Sequence, residues 1–173
     1  MTIFLVGFMG CGKSTVARGL AELSGFRYVD LDQEVCRKAQ RESVAEIFAE
    51  MGEEKFRRLE REAIEHLSTE GDVVVATGGG APCYGDNMDR LMELGVTVYL
   101  RMSADALTER LQRVRVVRPK IVGLSPEELS EYVRGLLVER EPIYNRARVV
   151  VDCDGIPSRV VISRLRYLTK KRN

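Results

Sequence analysis

Residues 7 to 14 read Gly7-Phe8-Met9-Gly10-Cys11-Gly12-Lys13-Ser14 and match the pattern G-x-x-x-x-G-K-[ST]. An apolar run, Ile3–Val6, precedes them, and an amphipathic stretch, Ser14–Leu23, follows. This pattern binds phosphate when it connects a strand to a helix, because glycines let the backbone wrap around an anion and the helix N-terminus adds partial positive charge. A glycine-rich turn that binds nothing is the alternative, but the spacing and the setting favour a phosphate-binding loop.

The motif assigns different parts of a nucleoside triphosphate to different residues. Lys13 is expected to reach the β- and γ-phosphates, and the Ser14 hydroxyl is expected to ligate Mg²⁺. The predicted ATP-contacting residues of the loop are Gly10, Cys11, Gly12, Lys13, Ser14 and Thr15. The motif alone does not separate a kinase from a GTPase or a motor ATPase.

Short apolar runs alternate along the chain with longer amphipathic stretches. Val73–Ala76 is continuously apolar, as in a strand that is buried on both faces. This alternation predicts an α/β fold with a parallel sheet covered by helices. No repeat or linker divides the chain, so residues 1–173 are expected to form a single domain.

Helix start signals and apolar runs place the individual elements. Ser43 and Glu46 have capping-box spacing, and Ser125 precedes a proline and two acids that suit a first helical turn. The predicted strands are Ile3–Val6, Arg27–Asp30, Val73–Ala76, Thr97–Leu100 and Val149–Val151. The predicted helices are Ser14–Leu23, Ser43–Met51, Glu53–Leu67, Asp86–Glu93, Ser103–Gln112, Leu129–Glu139 and Ser158–Thr169. Residues 113–124 are basic, contain Pro and Gly, and are expected to form a loop or lid.

Composition excludes several function classes. The 173 residues are 45% apolar and carry a net charge of +1, so nothing indicates a nucleic-acid partner. The N-terminus lacks a signal-peptide pattern and no apolar run is long enough to span a membrane, so a cytoplasmic protein is expected. Four separated cysteines and one histidine argue against a zinc site or a disulfide framework. No feature of the sequence indicates an obligate oligomer, so a monomer is expected.

Two features beyond the phosphate loop narrow the class. No N-K-x-D motif for guanine is present, and Val73–Ala76 continues into Gly78-Gly79-Gly80, which leaves room for a ligand against bare backbone. A tight strand-to-helix turn is the alternative for these glycines. Asp30 and Asp32 end the second predicted strand, where they suit a magnesium shell and a base that orients a hydroxyl. The alternative for Asp32 is that it only caps the next helix.

An ordered set of motifs resembles the shikimate kinases over most of the chain. It comprises Gly10-Cys11-Gly12-Lys13-Ser14, Asp30-x-Asp32, Gly52-Glu53-x-x-Phe56-Arg57-x-x-Glu60, Gly78-Gly79-Gly80, Arg118-Pro119 and Arg140-x-Pro142-x-Tyr144. The resemblance implies a P-loop kinase fold whose five parallel strands lie in the order 2-3-1-4-5. It also implies transfer of the γ-phosphoryl group of MgATP to the 3-hydroxyl of shikimate, in chorismate and aromatic amino-acid biosynthesis.

The resemblance further implies roles for individual residues. Arg57 and Arg140 match the positions that hold the substrate carboxylate, for which the planar guanidinium is suited. Asp32 matches the residue that binds the acceptor hydroxyl, and Asp30 the residue that reaches Mg²⁺. The substrate would also contact Gly78, Gly79 and Gly80, while Arg118 would act on the transferring phosphate, and Arg110 and Ile156 would lie near the adenine. Lys120 departs from the family, which usually has an apolar residue there.

Two other functions stay open at this stage. One is another small-acceptor kinase of the same fold, such as a gluconate or nucleoside-monophosphate kinase, against which the glycine triplet and the two arginines argue. The other is a nucleotide sensor or regulatory subunit without catalysis, which loss of Asp32 or Arg118 would favour; both residues are present.

Overall fold

A parallel sheet forms the centre of the chain. The structure is a computed structural model and describes residues 1–67, 71–113 and 121–170. The strands are β1 (Thr2–Val6), β2 (Arg27–Asp30), β3 (Val73–Ala76), β4 (Val96–Arg101) and β5 (Val149–Asp152). They pair in the order β2-β3-β1-β4-β5, and every pair is parallel. The predicted fold class and strand order are confirmed.

Helices connect the strands and cover the sheet. They are α1 (Lys13–Ser24), α2 (Leu31–Ala39), α3 (Val44–Leu67), α4 (Asn87–Leu94), α5 (Ala104–Arg113), α6 (Pro126–Tyr144) and α7 (Ser158–Leu165), with 3₁₀ turns at Ala81–Cys83 and Arg166–Thr169. Helix α1 packs against α7, α2 against α3, and α5 against α6. Within the described ranges, no helix has the length and apolar character that a membrane crossing requires.

Helix α6 begins at the predicted cap and ends later than predicted. The Ser125 hydroxyl accepts a hydrogen bond from the Glu128 N–H at 3.1 Å, and the Glu128 carboxylate accepts one from the Ser125 N–H at 2.7 Å. The helix then continues through Pro142 to Tyr144; it lacks only the hydrogen bond that an N–H at residue 142 would donate to the Val138 carbonyl. This extension places Arg140 and Tyr144 on the same helix.

Helix α2 was not predicted. It begins directly after β2, where the Asp30 carboxylate accepts hydrogen bonds from the N–H groups of Asp32 and Gln33 at 3.1 and 3.3 Å. The capping role considered for Asp32 therefore belongs to Asp30. Asp32 lies in the first turn of the helix and lines the site described below.

A kink at Gly52 divides α3 into two helical halves. Gly52 has a φ of 79° and a ψ of 165°, a combination that is essentially restricted to glycine. The halves correspond to the predicted helices Ser43–Met51 and Glu53–Leu67. The Ser43 hydroxyl accepts a hydrogen bond from the Glu46 N–H at 3.1 Å, as capping-box spacing predicts, but the Glu46 carboxylate bonds the N–H of Glu42 rather than that of Ser43.

The remaining differences lie toward the C-terminus. The last predicted helix, Ser158–Thr169, is an α-helix only to Leu165 and then tightens into the 3₁₀ turn. Most of the predicted lid lies outside the described residues, and so do Arg118 and Lys120. Residues 121–123 form a turn before the cap of α6.

Candidate active site

The phosphate loop, Gly7–Ser14, connects β1 to α1. Gly7, Gly10 and Gly12 have φ angles of 141°, 84° and 96°, so the path of the loop requires glycine at these points. Lys13 is buried, and its ammonium group donates hydrogen bonds to two carbonyl oxygens of the loop, each at 2.8 Å. The Lys13 ammonium group is therefore held against the backbone of the loop.

A cavity of about 340 Å³ lies over this loop. The predicted ATP-contacting residues that line it are Gly10, Gly12, Lys13, Ser14, Thr15 and Arg110. The Arg110 guanidinium lies against the loop, since a Cβ on Gly12 would stand 3.5 Å from its Nη2. Arg110 lies in α5, the helix that follows β4, and is 98 residues after Gly12 in sequence. The fold therefore brings it close to the phosphate loop.

Two predicted nucleotide contacts do not line the described part of this cavity. Cys11 is 3% exposed, its Sγ lies 3.8 Å from the Lys13 Nζ, and its N–H donates to the Phe8 carbonyl at 3.3 Å. Ile156 lies in the turn after β5, partly buried against the core. Contacts of Cys11 and Ile156 with ATP stay predictions.

Ser14 and Asp30 form an oxygen pair at the edge of the cavity. The Ser14 hydroxyl donates to Asp30 Oδ2 at 3.3 Å, and the Tyr28 hydroxyl donates to the same oxygen at 3.4 Å. Hydroxyl and carboxylate oxygens are the ligand type that Mg²⁺ prefers. Among the described residues, no group of three or more His, Cys, Asp or Glu side chains could hold a metal ion. The pair therefore suits a cation that takes most of its ligands from water and phosphate oxygens.

A second cavity, of about 190 Å³, adjoins the first. Both are lined by Met9, Asp32, Gly78 and Gly79, so these residues form the junction between the two spaces. A Cβ on Gly78 would stand 2.6 Å from Asp32 Oδ1, closer than any side chain tolerates. Glycine at this position lets the Asp32 carboxylate lie directly against the backbone.

Two arginines converge on the second cavity from different helices. A Cβ on Gly80 would lie 3.1 Å from the Nη2 of Arg57 in α3 and 3.6 Å from the Nη2 of Arg140 in α6. We call these two residues the carboxylate clamp, since converging guanidinium groups suit bidentate capture of a carboxylate. The clamp lies beside the glycine loop, Gly78–Gly80, as the sequence motifs together implied.

The Arg57 side chain is held in place before any ligand binds. Its Nη1 donates to the Glu60 carboxylate at 2.9 Å and its Nη2 to that of Glu53 at 3.3 Å. The guanidinium also lies 5.2 Å from the centre of the Phe56 ring and 5.4 Å from that of Tyr84. These contacts keep the arginine extended toward the cavity.

Glu60 is a buried acid whose pKa is raised. Its side chain is 1% exposed, and burial raises its pKa to about 7, although the neighbouring Arg57 guanidinium acts to lower it. One carboxylate oxygen, Oε1, has no hydrogen-bond partner among the described residues. The protonation state of the acid that supports Arg57 therefore changes near neutral pH.

The sequence analysis missed the apolar wall of the second cavity. The cavity is also lined by the apolar residues Met9, Val44, Phe48 and Phe56, and the two phenylalanine rings lie 4.8 Å apart. A wall of this kind suits the ring of a small carbocyclic molecule. No local signal marks these residues, because apolar side chains on a helix usually indicate the core.

We call the second cavity the acceptor cavity, because it adjoins the cavity over the phosphate loop. Together with the strand order and the phosphate loop, it defines a kinase of the P-loop class that acts on a small molecule. Comparison with known proteins narrows this class. The family model described as shikimate kinase matches residues 9–168.

Individual relatives agree with the family model. The shikimate kinase of Parabacteroides distasonis is 41% identical over 152 residues, which cover 88% of this chain and 87% of that protein. The crystal structure of shikimate kinase from Bacteroides thetaiotaomicron superposes with a TM-score of 0.90 at 34% identity and covers 97% of both chains. A structure of the Acinetobacter baumannii enzyme in complex with shikimate has a TM-score of 0.84 at 32% identity and covers 99% of this chain and 95% of that one. The chain belongs to the shikimate kinase family.

Proposed function

We propose that this chain transfers the γ-phosphoryl group of ATP to the 3-hydroxyl of shikimate, which yields shikimate 3-phosphate and ADP. The observation that carries the proposal is the junction at Asp32, where the cavity over the phosphate loop meets the cavity that contains the carboxylate clamp. A donor phosphate on one side and an acceptor on the other would meet beside a carboxylate that can orient the acceptor hydroxyl.

The acceptor cavity supports shikimate by its chemistry. Shikimate is a small ring that bears one carboxylate and several hydroxyl groups. Arg57 and Arg140 offer a cationic fork for the carboxylate, and Phe48 and Phe56 offer an apolar face for the ring. With the carboxylate held by the two arginines, a ring hydroxyl can reach Asp32, which lines the same cavity.

Asp32, Lys13 and Arg118 have separate tasks in the proposed mechanism. Asp32 accepts a hydrogen bond from the acceptor hydroxyl and takes its proton as the oxygen attacks the γ-phosphorus. Lys13 stabilises the negative charge on the β- and γ-phosphates during transfer. Arg118, which lies outside the described residues, stays the predicted cation on the transferring group, and residues 113–124 the predicted lid that excludes water.

The residues present fit a magnesium ion. Ser14 and Asp30 supply the oxygens described above, and we propose that Asp30 acts through water, because its Oδ1 already caps α2. When bound, the ion would neutralise charge on the phosphate oxygens. The 3.4 Å contact from Tyr28 and the cap on α2 together orient the Asp30 carboxylate toward Ser14.

A coupled assay of ADP release tests the proposal. Wild-type protein is supplied with MgATP and with shikimate, gluconate or AMP in parallel reactions, and turnover is expected with shikimate only. Lys13→Met is the control that keeps the acceptor cavity, and we expect it to lose turnover by ~10²-fold or more. Turnover with gluconate or AMP but not shikimate, or full turnover in folded Lys13→Met, would contradict the proposal. The monomeric state, the cytoplasmic location and the single domain stay predictions.

A further inference from the structure

Tyr144 links the end of α6 to the glycine loop. Its side chain is completely buried, and its hydroxyl donates a hydrogen bond of 2.5 Å to the carbonyl oxygen of Gly79. Its ring packs on Tyr99, with the ring centres 5.2 Å apart. The two ends of this hydrogen bond are 65 residues apart in sequence, so it is a tertiary contact and not a local turn.

The orientation of the Gly79 carbonyl determines the orientation of the peptide group between Gly79 and Gly80. In a trans peptide the C=O of one residue and the N–H of the next point in opposite directions, so a fixed Gly79 carbonyl also fixes the Gly80 N–H. Among the described residues, the N–H groups of Gly79 and Gly80 donate to no protein group, and both glycines line the acceptor cavity. Glycines have no side chain that could fix their own orientation, so an anchor must come from elsewhere.

Arg140 of the carboxylate clamp lies against the same glycine loop. It precedes Tyr144 by one helical turn, and a Cβ on Gly79 would stand 3.7 Å from its Nη1. Burial raises the pKa of Tyr144 far above its ordinary value, so the hydroxyl stays protonated and keeps donating throughout the physiological range. The last turns of α6 therefore carry both an arginine of the clamp and the buried hydroxyl that bonds the backbone of the glycine loop.

We propose that Tyr144 is a positioning residue for the acceptor: its hydroxyl fixes the Gly79 carbonyl so that the glycine loop presents its N–H groups to the substrate beside Arg140. This inference rests on the proposed function. It assigns Tyr144 no direct contact with the substrate or with ATP.

The test compares two tyrosines that form one ring pair. Tyr144→Phe removes the anchoring hydroxyl and keeps the ring. Tyr99→Phe is the matched control, because its hydroxyl lies 3.5 Å from the Glu141 carboxylate and has no hydrogen bond to the glycine loop. We expect Tyr144→Phe to raise the KM for shikimate about tenfold, because a glycine loop that is no longer held must be ordered on binding, at a cost of about one hydrogen bond. The KM for ATP is expected to stay unchanged, and Tyr99→Phe to resemble wild type in both constants.

Stability is measured on the same proteins by urea unfolding. If Tyr144→Phe is too unstable to assay, it is made together with Gly135→Ala, an exposed helix substitution, and compared with Gly135→Ala alone. An unchanged KM for shikimate in Tyr144→Phe overturns the inference, and so does an equal rise in both KM values, which a merely structural role produces. Wild-type turnover of shikimate is measured in the same assay. Its absence would contradict the proposed function, whereas the KM values of Tyr144→Phe test only the role of Tyr144.

Discussion

Arg57 Nη1 lies 2.9 Å from the carboxylate of Glu60, one turn later in α3, and both side chains are at least nine-tenths buried. A buried guanidinium requires a counter-charge, and this pair supplies it from within the helix. Within the described ranges, the other terminal nitrogen, Nη2, donates only to the more exposed Glu53, at 3.3 Å. Arg57 is therefore anchored on one side and accessible to a ligand carboxylate on the other.

The carboxylate clamp is expected to control shikimate and not ATP. Under the proposed function, Arg140→Ala removes one of the two proposed charge-assisted partners of the substrate carboxylate, which is expected to cost about 2–5 kcal/mol. That corresponds to a loss of roughly 30- to several-thousand-fold in kcat/KM for shikimate. Arg57→Ala is expected to cause a loss in the same range. Steady-state kinetics give kcat/KM, and a nucleotide titration gives the Kd for ATP, which is expected to change little.

The Arg57 substitution needs its own control. Removal of Arg57 leaves Glu60 without its counter-charge, so Arg57→Ala is compared with the double variant Arg57→Ala/Glu60→Gln, whose neutral amide needs none. If Arg57→Ala and Arg140→Ala both keep full efficiency with shikimate, these arginines do not bind the acceptor and another acceptor must be sought.

Asp32→Asn is expected to lower kcat far more than it changes binding. Asparagine keeps the size of the side chain but cannot accept the proton of the acceptor hydroxyl, and general-base catalysis contributes typically about 10²–10⁴-fold. The measurement is kcat and KM for shikimate at saturating ATP. Asp105→Asn, an exposed acid that pairs with Arg134 on the surface, is the matched control. A rise in KM with kcat unchanged would instead assign Asp32 to substrate binding alone.

The pKa of Glu60 predicts a pH dependence of stability. Its value in the folded protein is about 7 against an ordinary value of 4.5, so between these values the folded chain holds a proton that the unfolded chain has released. The contribution of Glu60 to the free energy of unfolding should therefore be highest below pH 4.5. It should fall by up to about 3 kcal/mol as the pH rises through 7.

Glu60→Gln isolates this contribution. Glutamine keeps a hydrogen-bond acceptor for Arg57 but does not titrate, and all other ionisable groups are common to both proteins. The difference in unfolding free energy between wild type and variant is measured by urea unfolding from pH 4.5 to 8.5, and it should change across this range. A constant difference would mean that Glu60 titrates at its ordinary pKa.

Two glycines that have open space around them should respond oppositely to alanine. A Cβ at either Gly52 or Gly135 meets no atom within 4 Å, so only the backbone conformation distinguishes them. Gly52→Ala forces alanine into the conformation at the α3 kink and should destabilise the protein by about 1–3 kcal/mol. Gly135→Ala lies in the regular part of α6 and should stabilise it by about 1 kcal/mol. Thermal and urea unfolding measure both, and stabilisation by Gly52→Ala would show that the kink straightens.

Local sequence patterns predicted the elements that depend on local physics. Strands β2 and β3 have their predicted bounds. For β3 the reason is that a continuous apolar run followed by glycines has few other ways to bury itself. The phosphate loop and the cap of α6 were predictable because both depend on residues close together in sequence. Helix α2 was missed because its cap, Asp30, reads equally well as a ligand at a strand end.

The sequence by itself also determined the family, since motif order is a property of the chain. Only the tertiary structure decided which side chains meet. Three features join segments that are distant in sequence: the Tyr144–Gly79 hydrogen bond, the convergence of Arg57 and Arg140 on Gly80, and the junction at Asp32. The pKa of Glu60 likewise follows from its burial, which no neighbouring residue indicates. The physical reason is that burial and convergence arise when the sheet and helices pack, so a local pattern can name these residues but cannot say what surrounds them.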